Sequence, residues 1–226
     1  MGTDDLKKKK IARNTAKKRK EQKAVLISLE DEKSSKYYFE KLLVDKKLTG
    51  KVIFAKHIGT DAESVLEAIV KHKREHPKIV YEKEWAVFDR DDDSKKQINN
   101  TIQRAKDLGV CIAISNEAYE LWLLLHFEPL TRGTNRKNLN KKLNEHFLNY
   151  FGQDYSKSAQ DVYVLIIGFQ NKAIVNAKNL RLEQVRNHGK LDPEKQNPLT
   201  LVYQLVECLN SLYDEEKDCD CFPQNR

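Results

Sequence analysis

Short apolar runs alternate with helical periodicity through the first half of the chain. AVLISLE (24–30), KVIFAKHI (51–58), EWAVFD (84–89) and VCIAIS (110–115) are too short and too continuously apolar for helices, so each predicts a strand. Between them the period changes. SSKYYFEKLLVDKKL places Tyr38, Leu42 and Leu43 at helical spacing, with Ser34 or Ser35 available as N-cap. In DAESVLEAIVKHKREH (61–76), Val65 and Ile69 step along one face and Pro77 follows the end. SKKQINNTIQRAKDLG (94–109) predicts a third helix closed by Gly109. The resulting β-α-β-α-β-α-β order implies an α/β fold: a mainly parallel four-stranded sheet flanked by helices.

The second half is patterned differently. EAYELWLLLHF (117–127), RKNLNKKLNEHFLNYFG (136–152), residues 168–187 and PLTLVYQLVECLNSLYDEE all predict helices. GTNRKN (133–138) is a polar loop that reads as a connection, with contact to a ligand as the alternative. The expected organisation is a disordered basic tail (1–23), an α/β core (24–115), a helical layer packed on it (116–214) and a C-terminal tail (215–226).

Composition narrows the class. With 39% hydrophobic and 33% charged residues, the chain reads as globular with a very polar surface. No run approaches the roughly 18 apolar residues of a membrane helix. The N-terminal lysines have no apolar segment behind them, so a secretory signal is not expected and a cytoplasmic location is. The net charge of +7 lies wholly in residues 1–23, where ten Lys or Arg face Asp4, Asp5 and Glu21; the remaining 31 bases and 31 acids balance. Lys7, Lys8, Lys9, Lys10, Lys17, Lys18, Arg19 and Lys20 thus form either a solubilising arm or a salt-sensitive phosphate-seeking arm for nucleic acid. Cys111 and Cys208 read as small buried hydrophobes, and Cys219 and Cys221 form a C-x-C too short of ligands for zinc, so reduced thiols are expected.

Candidate chemistry concentrates where strands end, since ligands of parallel sheets gather at the carboxyl ends of strands. Three predicted strands end in Glu30, in Asp89, and at Ser115–Asn116. In VFDRDDD (87–93), alternation puts Asp89 and Asp91 on one side if the chain stays extended. Converging carboxylates repel unless a cation or proton intervenes, and oxygen donors of this kind suit Mg²⁺ or Mn²⁺. Glu30 would be a third ligand or a general acid/base, and Asp93 an outer contributor. The competing reading is a solvated turn whose Asp92, Asp93 or Ser94 caps the next helix. An EF-hand is excluded, because counting from Asp89 gives Ser94 where glycine is needed and Asn100 where glutamate is needed. A phosphatase with Asp89 as nucleophile would carry that residue on the first strand of its domain, whereas this is the third. Glu120 is a candidate catalytic acid beside the cluster, and Lys157 a candidate phosphate contact. Trp122, Leu123, Leu124, Leu125 and Phe127 read as core, and His126 as a core histidine among them.

Four segments resemble the RloB family, which carries a variant of the Toprim fold found in topoisomerases, primases and OLD-type nucleases. LISLEDEKSSKYYFEKL is similar to its first strand, glutamate and helix, and EWAVFDRDDD to its aspartate motif. ISNEAYELWLLLHF is similar to its Ser-Asn and acidic-aromatic helix, and NPLTLVYQLVECL to its closing helix. The resemblance spans about residues 24–210 and implies that Glu30 matches the Toprim glutamate and Asp89 and Asp91 the D-x-D. It further implies a Mg²⁺-dependent nuclease acting on DNA or RNA, transfer RNA included, in bacterial anti-phage defence beside an ABC- or SMC-like ATPase. No G-x-x-x-x-G-K-[ST] loop occurs in this chain, so ATP would be handled by that partner. Homo-oligomerisation stays open. The sequence departs from the family where Asp31 replaces a glycine and Ser34-Ser35-Lys36 replaces Thr-Glu-Pro, which is expected to lower metal affinity. The alternatives are a catalytically weak regulatory subunit and the aspartate-based phosphatase.

Overall fold

The computed structural model describes residues 24–90, 95–214, 219 and 221–223. β1 (Ala24–Leu29) is buried along its whole length, which is why its sequence is apolar without alternation. It pairs in parallel with β2 (Val52–Phe54) on one side and β3 (Tyr81–Asp89) on the other, and β3 pairs in parallel with β4 (Cys111–Asn116). With a fifth strand, Leu199–Thr200, beyond β4, the order β2-β1-β3-β4-β5 places β3 at the centre. α1 (Ser34–Asp45), α2 (Ala62–Glu75) and α3 (Lys95–Leu108) are the crossovers between successive parallel strands. α2 begins where Asp61 accepts the Ser64 amide, and α3 stops at Gly109, whose φ of +71° few other residues adopt.

The second half supplies α4 (Glu120–Leu124), α5 (Arg136–Phe151), α6 (Val162–Ile166), α7 (Gln170–His188) and α8 (Val202–Asn210). It also supplies a fifth strand, β5 (Leu199–Thr200), antiparallel to β4. The four-stranded expectation is corrected here. The Leu201 amide donates to the Ile114 carbonyl and the Thr200 and Ser115 hydroxyls meet at 2.9 Å, which holds Leu199 and Thr200 on the sheet. The predicted helix over 117–127 narrows to α4, with turns on either side, and Ala118–Phe127 are all buried. One core joins both halves, from Leu26, Phe39 and Trp85 to Trp122, Phe147 and Val206.

The expectation of reduced thiols is overturned. Cys111 bonds Cys221, and Cys208 bonds Cys219. The Ile112 amide donates to Phe222, so the chain end returns along β4 and meets the cysteines of β4 and α8, a convergence hidden by their distance in sequence. No helix among the described residues is long and apolar enough to cross a membrane.

Candidate active site

Glu30, Asp89 and Ser115 mark the carboxyl ends of the three central strands, in one row. The Glu30 amide continues the ladder to Val87, and Asp89 stands in register with Ser115. Glu30 then turns its side chain toward β3, where its Oε2 accepts the Asp89 amide at 2.7 Å. Two acids 59 positions apart in sequence therefore share one strand end. The bond is charge-assisted and fixes the Glu30 carboxylate.

Above this row opens a cleft of about 390 Å³ whose walls include Glu30, Asp31, Asp89, Glu120, Arg136 and Lys157, with His57 and Tyr119 beside them. Asp89 Oδ2 lies 3.5 Å from the Arg136 guanidinium. Glu120 is fully buried; its Oε1 accepts from Lys157 Nζ at 2.7 Å and from the Tyr155 hydroxyl at 3.5 Å. Its Oε2 is buried with no hydrogen-bond partner among the described residues. Such an atom costs free energy unless another donor or a cation reaches it. Burial, and next the Glu120 charge, push the Tyr155 hydroxyl far above its ordinary pKa, so it stays a proton donor. Burial likewise raises Tyr119 well above its usual range.

Asp31 has a local structural role. Asp31 Oδ1 accepts the Lys33 amide and Oδ2 the Ser35 amide, both at 2.9 Å, while the Ser35 hydroxyl donates to the Asp31 carbonyl. The start of α1 is thus satisfied by Asp31 and not by the expected Ser34 or Ser35. An acid at that position also suits the helix dipole. Lys36 faces away, toward Glu32 at 3.7 Å.

The structure brings together Glu30, Asp89, Glu120 and Lys157 from the sequence-derived candidates. Ser115 and Asn116 are not in the cleft wall. Ser115 bonds Thr200 of β5, and the Asn116 side-chain amide donates to the Pro193 and Glu194 carbonyls, so they anchor β5 and the segment before it. Asp91 and Asp93, and Lys7, Lys8, Lys9, Lys10, Lys17, Lys18, Arg19 and Lys20 in the tail, lie outside the described residues. Among the described residues no group of three His, Cys, Asp or Glu is placed to hold a metal ion.

Arg136 and His57 also line the cleft, outside the pattern of strand-end acids. Arg136 opens α5 from within GTNRKN, and the Asn197 side chain pins that stretch by donating to the Thr134 carbonyl and accepting the Thr134 amide. His57 lies just past β2, which ends at Phe54 and not at residue 58. The strand-end rule that found Glu30 and Asp89 would have reached His57 had β2 been drawn shorter.

A family model described as RloB-like protein matches residues 25–209. No curated protein and no solved structure matched the chain. The chain belongs to the RloB-like protein family.

Proposed function

We propose that this member of the RloB-like family is a divalent-metal-dependent nuclease that hydrolyses phosphodiester bonds of DNA or RNA. The observation that carries the reading is the 2.7 Å bond from the Asp89 amide to Glu30, which gathers the two acids of the Toprim-like motif at one cleft. The donor set fits a hard cation. Glu30 and Asp89 offer carboxylate oxygens, Glu120 Oε2 is a buried acceptor awaiting a partner, and Asp91 follows Asp89 by two positions. Glu30, Asp89 and Asp91 would hold Mg²⁺ or Mn²⁺, with Asp93 farther out. Bound there, the ion supplies charge stabilisation at the phosphoryl oxygens and a more acidic water.

The chain's own cations do the rest. Arg136, now on Asp89, presents a planar fork matched to phosphate, and Lys157 a point charge. The basic tail adds sequence-independent affinity that salt weakens. In this reading the protein is a cytoplasmic effector of anti-phage defence, held and released by an ABC- or SMC-like ATPase.

The test incubates the purified full chain and its Asp89→Ala variant with Mn²⁺ and plasmid, messenger RNA or transfer RNA. Cleavage should fall by on the order of 100-fold or more, above the loss typical of outer ligand-orienting residues. A folded Asp89→Ala protein that still cuts overturns the reading. The pairing of Asp89 with Arg136 and of Glu120 with Lys157 favours a second reading, an inactive regulatory subunit whose acids serve assembly. Calorimetric titration separates the two, because that subunit would show no Mn²⁺ binding linked to Asp89.

A further inference from the structure

His57 enters the cleft from the loop after β2, a strand that contributes none of the acids. Its Nδ1 lies 3.3 Å from the Leu29 carbonyl, one residue before Glu30. A carbonyl oxygen only accepts, so Nδ1 carries the proton in this contact. The ring is thereby oriented, and Nε2 is the nitrogen left for the cleft, with no hydrogen-bond partner among the described residues. A backbone acceptor behind one ring nitrogen and an open second nitrogen is the arrangement that prepares an imidazole for proton transfer. It equally supports the doubly protonated ring, since the carbonyl accepts from Nδ1 in either state.

Glu30 is poorly placed for that task, because its carboxylate is engaged as acceptor for the Asp89 amide. Lys157 and Arg136 are engaged by carboxylates. Tyr119 is buried, and its hydroxyl is held far above its usual range. His57 is half-exposed at the cleft wall, within reach of solvent for reprotonation.

We infer that His57 is the general acid of the proposed hydrolysis, donating the Nε2 proton to the leaving oxygen of the phosphodiester. This rests on the nuclease reading. As a water oxygen bonds to phosphorus, the bond from phosphorus to the bridging oxygen breaks and its electron pair stays on that oxygen. The Nε2 proton moves onto it, giving a hydroxyl-ended strand. The attacking water loses a proton to solvent, and the imidazole regains one from solvent.

A leaving group that needs no proton tests the assignment. Oligonucleotides of whichever nucleic acid the wild type cuts are prepared with the bridging 3′ or 5′ oxygen replaced by sulfur, because a thiolate departs without protonation. His57→Ala, with His57→Asn as the second variant if the first is unstable by thermal melting, is compared with wild type on both linkages in Mn²⁺. The all-oxygen substrate should lose on the order of 10²–10⁴-fold, and one of the sulfur substrates only a few-fold. Equal losses on both linkages, as a metal-binding or structural histidine would give, overturn the general-acid role while leaving the nuclease reading intact. Little loss on either linkage does the same. A wild type that cuts none of these substrates overturns the nuclease reading and this inference together.

Discussion

His126 shows how a polar residue is accommodated in the core and what that does to stability. Its side chain is fully buried, with Nδ1 3.0 Å from the Trp122 carbonyl and Nε2 without a partner among the described residues. Protonating Nε2 would bury a charge, and burial accordingly lowers the pKa from 6.5 to about 4. The folded state therefore binds the proton more weakly than the unfolded chain. Its contribution is complete above pH 6.5 and is lost as pH falls from there toward 4. The loss amounts to about 3 kcal/mol at the acidic end. Urea unfolding of wild type and His126→Gln, at neutral pH and near the acidic end of that window, reads the effect. The wild type should lose more stability than the variant on acidification, by about that amount. Equal losses would assign the slope to other groups. The same burial explains why a histidine amid Trp122, Leu125 and Phe127 is a poor site candidate, whereas His57, in a loop after a strand, is a good one.

Elements announced themselves in proportion to their length and to how one-sided their burial is. α2 carries its own start signal in Asp61 and a buried stripe of Val65, Leu66 and Ile69, so both its bounds and its face follow from the sequence. β1, β3 and β4 were legible from continuous apolar runs because parallel strands are covered on both faces. With the strands came Glu30 and Asp89, since both stand at strand ends. β5 was not legible: two residues have no period, and its pairing depends on Ser115 and Ile114, far away in the chain. GTNRKN allows a ligand-contacting loop as well as a connection, and only the folded path brings its Arg136 to Asp89. The start of α1 belongs between these cases. Asp31 lies outside the helix, yet its carboxylate accepts the Lys33 amide just before it and the Ser35 amide of its first turn. Asp31→Ala should therefore lower stability by about 0.5–2 kcal/mol. The midpoint of chemical denaturation measures it; an unchanged midpoint would mean that Ser34 or Ser35 takes over the cap.

At the scale of the whole molecule, the Cys111–Cys221 cross-link and the site lie toward opposite ends of the parallel strands. Cys111 begins β4 and Asn116 ends it, with the cleft beyond the carboxyl ends. The bond from Cys111 to Cys221 spans 110 positions, and that from Cys208 to Cys219 spans 11. Closing the longer loop restricts the unfolded chain more, and a bond of this kind is worth about 2–4 kcal/mol. Disulfides persist in oxidising compartments, whereas the nuclease proposed above, acting on cytoplasmic nucleic acid, would work where thiols stay reduced. The two statements are compatible only if activity does not depend on the cross-links, and none of the four cysteines lines the cleft. Protein denatured without reductant should show no reactive thiol, and reductant should lower the unfolding free energy by that amount while leaving Mn²⁺-dependent cleavage unchanged within about twofold. Four reactive thiols before reduction would remove the cross-links from the fold. A loss of cleavage on reduction in protein that stays folded would tie the chain end to the site, through β4 and the row of strand ends that holds Glu30 and Asp89.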